Sequence, residues 1–264
     1  MTFVLQNAVN PGFVTSPISS TVIINTINQN TGLNNPTIDQ ITSGVQFANS
    51  LTPGTLTDIA VVKDASTNKT GQETSYTISF TVVTAIDAGG QVKFTFPSEA
   101  VYKSSSEAIV CTETSSSTTK TCTSTADSNN NVSELVITDA CTSACSAGAT
   151  LSYVITKVFN PGSTKPISTN FQATTQTSAA YVIDTGTAAT TSNFALTANT
   201  FNSITVNLPT GNIVVGQVTD YQFTIVLTNA IPSSGGELLI TFPSEISVLS
   251  TGSCTAVISS TSHT

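Results

Sequence analysis

Five cysteines are the residues of this chain whose type and spacing come closest to a chemical motif. Cys111 and Cys122 bracket ten residues, and Cys141 and Cys145 bracket Thr-Ser-Ala. That spacing fits two local disulfides, Cys111–Cys122 and Cys141–Cys145, the first stapling a hairpin and worth about 3 kcal/mol on the chain-entropy account. The rival is a four-cysteine zinc site, because a three-residue spacer lies in the range such sites use. Disulfides are favoured. The Cys111 motif recurs at Cys254, and a chain with one histidine and so few charges is a poor match to a cytosolic metal protein.

Other chemistry finds little to build on. Triad hydrolysis needs a base beside its nucleophile, and the single His263 sits in a Ser/Thr tail. The carboxylates are scattered. Asp39 and Asp184 occupy equivalent places in a repeat described below and could contribute to calcium binding, but no calcium loop surrounds them, and turn capping is the simpler role. No catalytic residue, cofactor or metal is therefore expected. Asn68 in Asn-Lys-Thr and Asn131 in Asn-Val-Ser are N-glycosylation sequons in polar stretches. The Ser/Thr tracts at 114–119 and 259–264 are candidates for O-linked glycans.

The elements that carry these residues are repeated. Thr-Phe-Pro-Ser-Glu starts at Thr95 and again at Thr241. Around it, GQETSYTISFTVVTAI from Gly71 matches GQVTDYQFTIVLTNAI from Gly216, and LTPGTLTDIAVV from Leu51 matches LTANTFNSITVN from Leu196. A second block sets FVLQNAVNPGFVTSPIS from Phe3 beside YVITKVFNPGSTKPIS from Tyr153, and Ile38-Asp39 beside Ile183-Asp184. Together they define a period of about 145 to 150 residues. Residues 45–195 are expected to form a complete copy, 1–44 the back part of a preceding copy, and 196–264 the front part of a following one. On this alignment the residue after Thr264 would be a cysteine.

Within each copy the apolar residues alternate. Tyr76, Ile78, Phe80 and Val82 share one face, and Tyr221, Phe223, Ile225 and Leu227 repeat the pattern. Val92, Phe94 and Phe96 form a second strand, expected to close a hairpin through the Gly89-Gly90 turn and to end at Pro97. Further strands are expected over 55–62, 107–112, 132–138, 150–159, 167–174 and 180–183. Seven to nine short strands per copy, with no helical period, predict an antiparallel β-sandwich.

Composition narrows the function classes. Charged residues are 8% of the chain, against about 25% in an ordinary soluble domain, while Ser and Thr supply about a third. The surface must therefore be rich in hydroxyls. A net charge of -8 and the absence of arginine argue against nucleic acid, which calls for a basic face. No apolar run approaches the roughly 18 residues of a membrane span. The start of the chain lacks the pattern of a secretory signal.

The GQxTxY strand opening, the AI and GG turn residues, the closing TFPSE, the cysteine-bracketed Ser/Thr loop, the NPG turn and the IDTG strand resemble tandem immunoglobulin-like repeats of very long surface proteins from unicellular eukaryotes and bacteria. The likeness covers nearly the whole chain but rests on turn and core residues. It implies an all-β fold of Ig-like sandwiches in tandem, one complete and one split between the termini, with display or assembly at a cell surface. It implies no catalytic residue. The functional expectation is a glycosylated extracellular filament built head-to-tail from copies of this unit, either as separate subunits or as a window of one continuous chain. A cell-surface adhesin or carbohydrate-binding repeat is the alternative, and it requires an aromatic or Asp/Asn cluster on one set of loops.

Overall fold

The computed structural model describes residues 6–14, 24–27, 37–41, 51–97, 100–104, 106–128, 130–166, 171–188, 190–208, 214–231, 236–249 and 252–255. The described residues are all-β, with two compact units, 1–197 and 198–264. The first begins with the isolated hairpin of β1 (Ile24–Ile27) and β2 (Thr37–Ile41). Strands β3 (Gly54–Thr55), β4 (Thr57–Lys63), β5 (Glu73–Thr81), β6 (Gln91–Thr95) and β7 (Tyr102–Lys103) follow. Next come β8 (Val110–Glu113), β9 (Thr119–Lys120), β10 (Cys122–Ala126), β11 (Val132–Ile137) and β12 (Thr150–Phe159). Strands β13 (Gln172–Gln176), β14 (Val182–Thr187) and β15 (Thr190–Ser192) complete the unit. Strands β16 (Ser203–Asn207) and β17 (Gln222–Val226) form the hairpin of the second unit.

Strands β3 to β15 make two sheets, one ordered β10-β11-β6-β13-β14-β3 and the other β15-β4-β5-β12-β8-β9, with β7 also on β12. The alternation seen in the sequence decides which face of each strand turns inward. Tyr76, Ile78 and Phe80 of β5 and Leu151, Tyr153 and Ile155 of β12 are buried against Val92 and Phe94 of β6 and Leu135 and Ile137 of β11. The sheets meet through edge-on rings, Phe80 to Phe94 and Phe94 to Tyr153, each with centroids 6.2 Å apart. The two buried tyrosines keep their hydroxyls satisfied by donating to the carbonyls of Ala100 and Ala140. This is a sandwich core that manages without tryptophan.

Two expectations need correction. First, β5 and β6 do not form a hairpin: β5 pairs with β4 and β12, and β6 with β11 and β13. The segment between them buries Val82 and Ile86 and carries the chain over one end of the sandwich into the opposite sheet. Gly89, at φ +80°, serves that crossing, and a β-carbon at Gly90 would run into Ile86. Gly235, the counterpart of Gly89, lies outside the described residues. Second, the sheets are not wholly antiparallel. β3 runs parallel to β14 and β15 parallel to β4, because the strands entering and leaving the unit both lie at sheet edges.

Two strand-pair registers of the first sandwich recur elsewhere in the chain. In unit one Ala60 faces Ser79, Val61 faces Ile78 and Val62 faces Thr77; in unit two Thr205 faces Thr224, Val206 faces Phe223 and Asn207 faces Gln222, each partner 145 positions on. Likewise Ala173–Gly186, Thr174–Thr185 and Gln176–Val182 of β13–β14 correspond to Ile24–Ile41, Asn25–Gln40 and Ile27–Thr37 of β1–β2, with the irregularity at the same step. The sequence repeat is thus also a repeat of backbone pairing.

Candidate functional site

Cys141 and Cys145 are joined by a disulfide, with their α-carbons 5.8 Å apart. The loop they close is tied to the β5–β6 crossing: Ile86 and Cys145 exchange backbone hydrogen bonds of 2.9 and 2.8 Å, and the Gly89 N–H donates to the Cys141 carbonyl. The bond therefore fixes one end of the sandwich. Cys111 and Cys122 differ from the expectation, for both are free thiols. Cys111 pairs across the β8–β9 hairpin with Lys120, while Cys122 begins β10, which belongs to the other sheet. Their sulfurs nonetheless meet. A hydrogen bond between them, reinforced by burial, pushes the Cys111 thiol up, and the same bond holds the Cys122 thiol below its ordinary range. Cys254 is a third free cysteine, and it is exposed.

Beside these thiols lies a buried cation that the sequence did not single out. Lys120 donates to the Asp139 carbonyl at 3.2 Å and the Thr142 hydroxyl at 2.9 Å, and its ammonium lies 3.4 Å from the Glu113 carboxylate. Burial alone would raise Glu113, but hydrogen bonds from Ser116 and Ser115 and the charge of Lys120 hold it below the usual carboxylate range. At the opposite end Lys63 is buried as well. Its ammonium donates to the carbonyls of Asp64 and Thr67, and the Asn160 amide donates to those of Thr67 and Lys69 at 2.8 Å each. Desolvation lowers the Lys63 pKa, more than the neighbouring Asp64 charge raises it.

Asp184 lies within β14 and ties that strand to a bend 100 positions away in sequence, where turn capping was expected. Its carboxylate accepts from the Thr84 backbone N–H at 2.8 Å and the Thr84 hydroxyl at 2.9 Å. Asp39 sits opposite Thr26 in β2. Among the described residues no three His, Cys, Asp or Glu side chains gather where they could hold a metal ion. The sequons differ in setting. Asn68 is exposed in the connection between β4 and β5, whereas the Asn131 amide donates to Asp127 at 2.7 Å and its oxygen is buried without a partner. His263 and the tract at 259–264 lie outside the described residues.

The segment 6–14 packs on the first sandwich through its last two residues, Phe13 and Val14. Val14 donates to the Val182 carbonyl at 2.7 Å, and Phe13 stacks on Tyr181 with centroids 5.5 Å apart. Between this segment and Leu51, Thr52, Gly54, Thr84 and Ile183 is a cleft of about 320 Å³. Its one aromatic, Phe13, is taken up by Tyr181, so the cluster an adhesin would need is not assembled there.

Among the described residues, most of the exposed large hydrophobic side chains belong to the second unit. Ile59, Val61 and Val92 of the first sandwich are 2%, 1% and 0% exposed; their counterparts Ile204, Val206 and Leu238 are 51%, 47% and 51% exposed. A small cluster survives where Tyr221 and Phe223 pack edge-on to Phe242 of the second TFPSE. Among the described residues β17 pairs only with β16, whereas its counterpart β5 is flanked by β4 and β12. No family model matches the chain, and no curated protein is significantly similar to it.

Proposed function

We propose that this chain is a structural repeat unit of an extracellular, glycosylated filament of tandem Ig-like sandwiches. In that line, the front segment 196–264 is completed by a back segment of the kind carried by residues 1–44. The completing segment comes from the next unit, whether a separate chain or further along one polypeptide. Each contact is heterologous, so the assembly propagates and does not close. A catalytic role has no part in this reading.

One observation carries the proposal: side chains that form the core of the first sandwich have solvent-exposed counterparts in the second unit, on strands that keep the same register. Burying each is worth roughly 1.5 to 3 kcal/mol, so completion of the second sandwich supplies a driving force of several kcal/mol. The Cys141–Cys145 disulfide and the hydroxyl-rich, charge-poor surface suit an oxidising extracellular setting. Among the described residues no helix is long and apolar enough to cross a membrane.

Negative-stain electron microscopy of the purified 264-residue chain tests this reading. Linear particles longer than a single chain are expected, and an excess of a separate peptide covering 1–44 should shorten them by capping growing ends. A monodisperse monomer at tens of micromolar would end the proposal. A reducing denaturing gel of native material then separates the two forms of the line: a band of several hundred kilodaltons for a continuous array, or one near a two-repeat unit for exchanged subunits.

A further inference from the structure

Resting on that reading, we infer which strand completes the second unit and in what register: residues 1–9 of a second copy lie antiparallel along the free edge of β17. There Phe3 faces Phe223, Val4 faces Gln222 and Leu5 faces Tyr221.

The register is set by the first sandwich. On the far edge of β5 from β4, β12 pairs Tyr153 with Ile78, Val154 with Thr77 and Ile155 with Tyr76. The β16–β17 hairpin keeps the β4–β5 register, so Phe223, Gln222 and Tyr221 stand in for Ile78, Thr77 and Tyr76. The sequence block FVLQNAVNPG matches YVITKVFNPG of β12 and its following turn, so Phe3, Val4 and Leu5 stand in for Tyr153, Val154 and Ile155. Their alternation suits that place, since Tyr153 and Ile155 are buried and Val154 is not. Phe3 and Leu5 would enter the half-built core around Phe223 and Phe242.

An independent observation at Asn7 supports this placement. β12 carries an irregularity between Ile155 and Val158, where Lys157 adopts φ 62°. Asn7, the matching residue of the N-terminal segment, adopts φ 61°. A non-glycine residue in the left-handed region is uncommon, and a bulge is a device that fixes pairing. The N-terminal segment thus holds the kink that β12 needs to follow its neighbour. Strand addition of this kind takes its affinity from backbone hydrogen bonds and its specificity from alternate side chains.

Register-specific cross-linking tests the inference. One tagged full-length chain carries V4C and a second, differently tagged, carries Q222C, both in a C254S background; V4C with T224C is the off-register control. Gln222 and Thr224 are exposed on one face of β17, two residues apart. Under mild oxidation V4C is expected to couple to Q222C at least tenfold faster than to T224C. Equal or inverted rates in samples that still form linear particles would overturn the register while leaving the filament standing. Failure of the two chains to associate at all, by sedimentation of the unoxidised mixture, would overturn both. A Phe3→Asp chain adds a second reading: it should still fold, by its amide spectrum, yet lose association, and unchanged association would exclude residues 1–9 as the inserted strand.

Discussion

The carboxylate of Asp184 occupies the space that a β-carbon on residue 54 would need. Gly54 therefore owes its identity to the hydrogen bonds between Asp184 and Thr84, and Gly54 and Asp184 form a single device holding β3 against β14. Gly54→Ala should cost about 1 to 3 kcal/mol through overpacking, and Asp184→Ala a similar amount by stranding the Thr84 N–H. Because the effects share one site, the double variant should lose less than the sum of the single ones. Urea unfolding followed on the first unit measures all three.

Cys122 should react with a dilute alkylating agent well before Cys111, since it is the more acidic and the less buried thiol. Mild oxidation should then remove both from labelling, with loss of about 2 Da and a gain of about 3 kcal/mol in stability. Intact mass and a denaturation midpoint read the two results. Continued labelling of Cys111 and Cys122 after oxidation would exclude the bridge.

Lys63 makes a pH-dependent contribution whose sign is opposite to that of an ion-paired lysine. Its folded pKa lies below the ordinary 10.5, so between the two values the unfolded chain holds a proton that the folded chain has released. Stability from this group therefore rises with pH across that window, and below it the full cost of burying the charge is present. The stability of the wild type relative to Lys63→Met should increase as the pH is raised towards 10.5. A flat difference would contradict it.

Of the two sequons, Asn68 should carry glycan after expression in a secretory eukaryotic host and Asn131 should not. The Asn131 amide is engaged by Asp127, and a sugar on it would have to displace that bond from a partly buried turn. Peptide mass spectrometry after enzymatic deglycosylation decides this, and substantial occupancy at Asn131 would refute it.

Alternation made the strand faces legible, because burial acts on every second residue and leaves a period in the sequence. Tyr76, Ile78 and Phe80 could be assigned inward without coordinates, and β12 falls over the expected 150–159. Sheet membership was not legible. Nothing in the inward face of β6 says which sheet it joins, and the Gly89-Gly90 pair signals a turn whether the chain returns beside its own strand or crosses to the opposite one. The bulge at Lys157 was equally hidden, for lysine gives no sign of a left-handed backbone, although the Asn at position 7 of the matching segment was a clue in hindsight. The buried polar residues Asp184, Lys120 and Asn160 reach backbone groups 19 to 100 positions away in sequence, and a pattern of side chains does not reveal such partners.

The parallel pairing of β15 with β4 has a mechanical corollary. A tug on residue 51 draws β4 backwards, while an opposing tug on residue 197 draws β15 forwards, so the ladder between them is sheared lengthwise. Its rungs then bear that load together and do not peel open in turn.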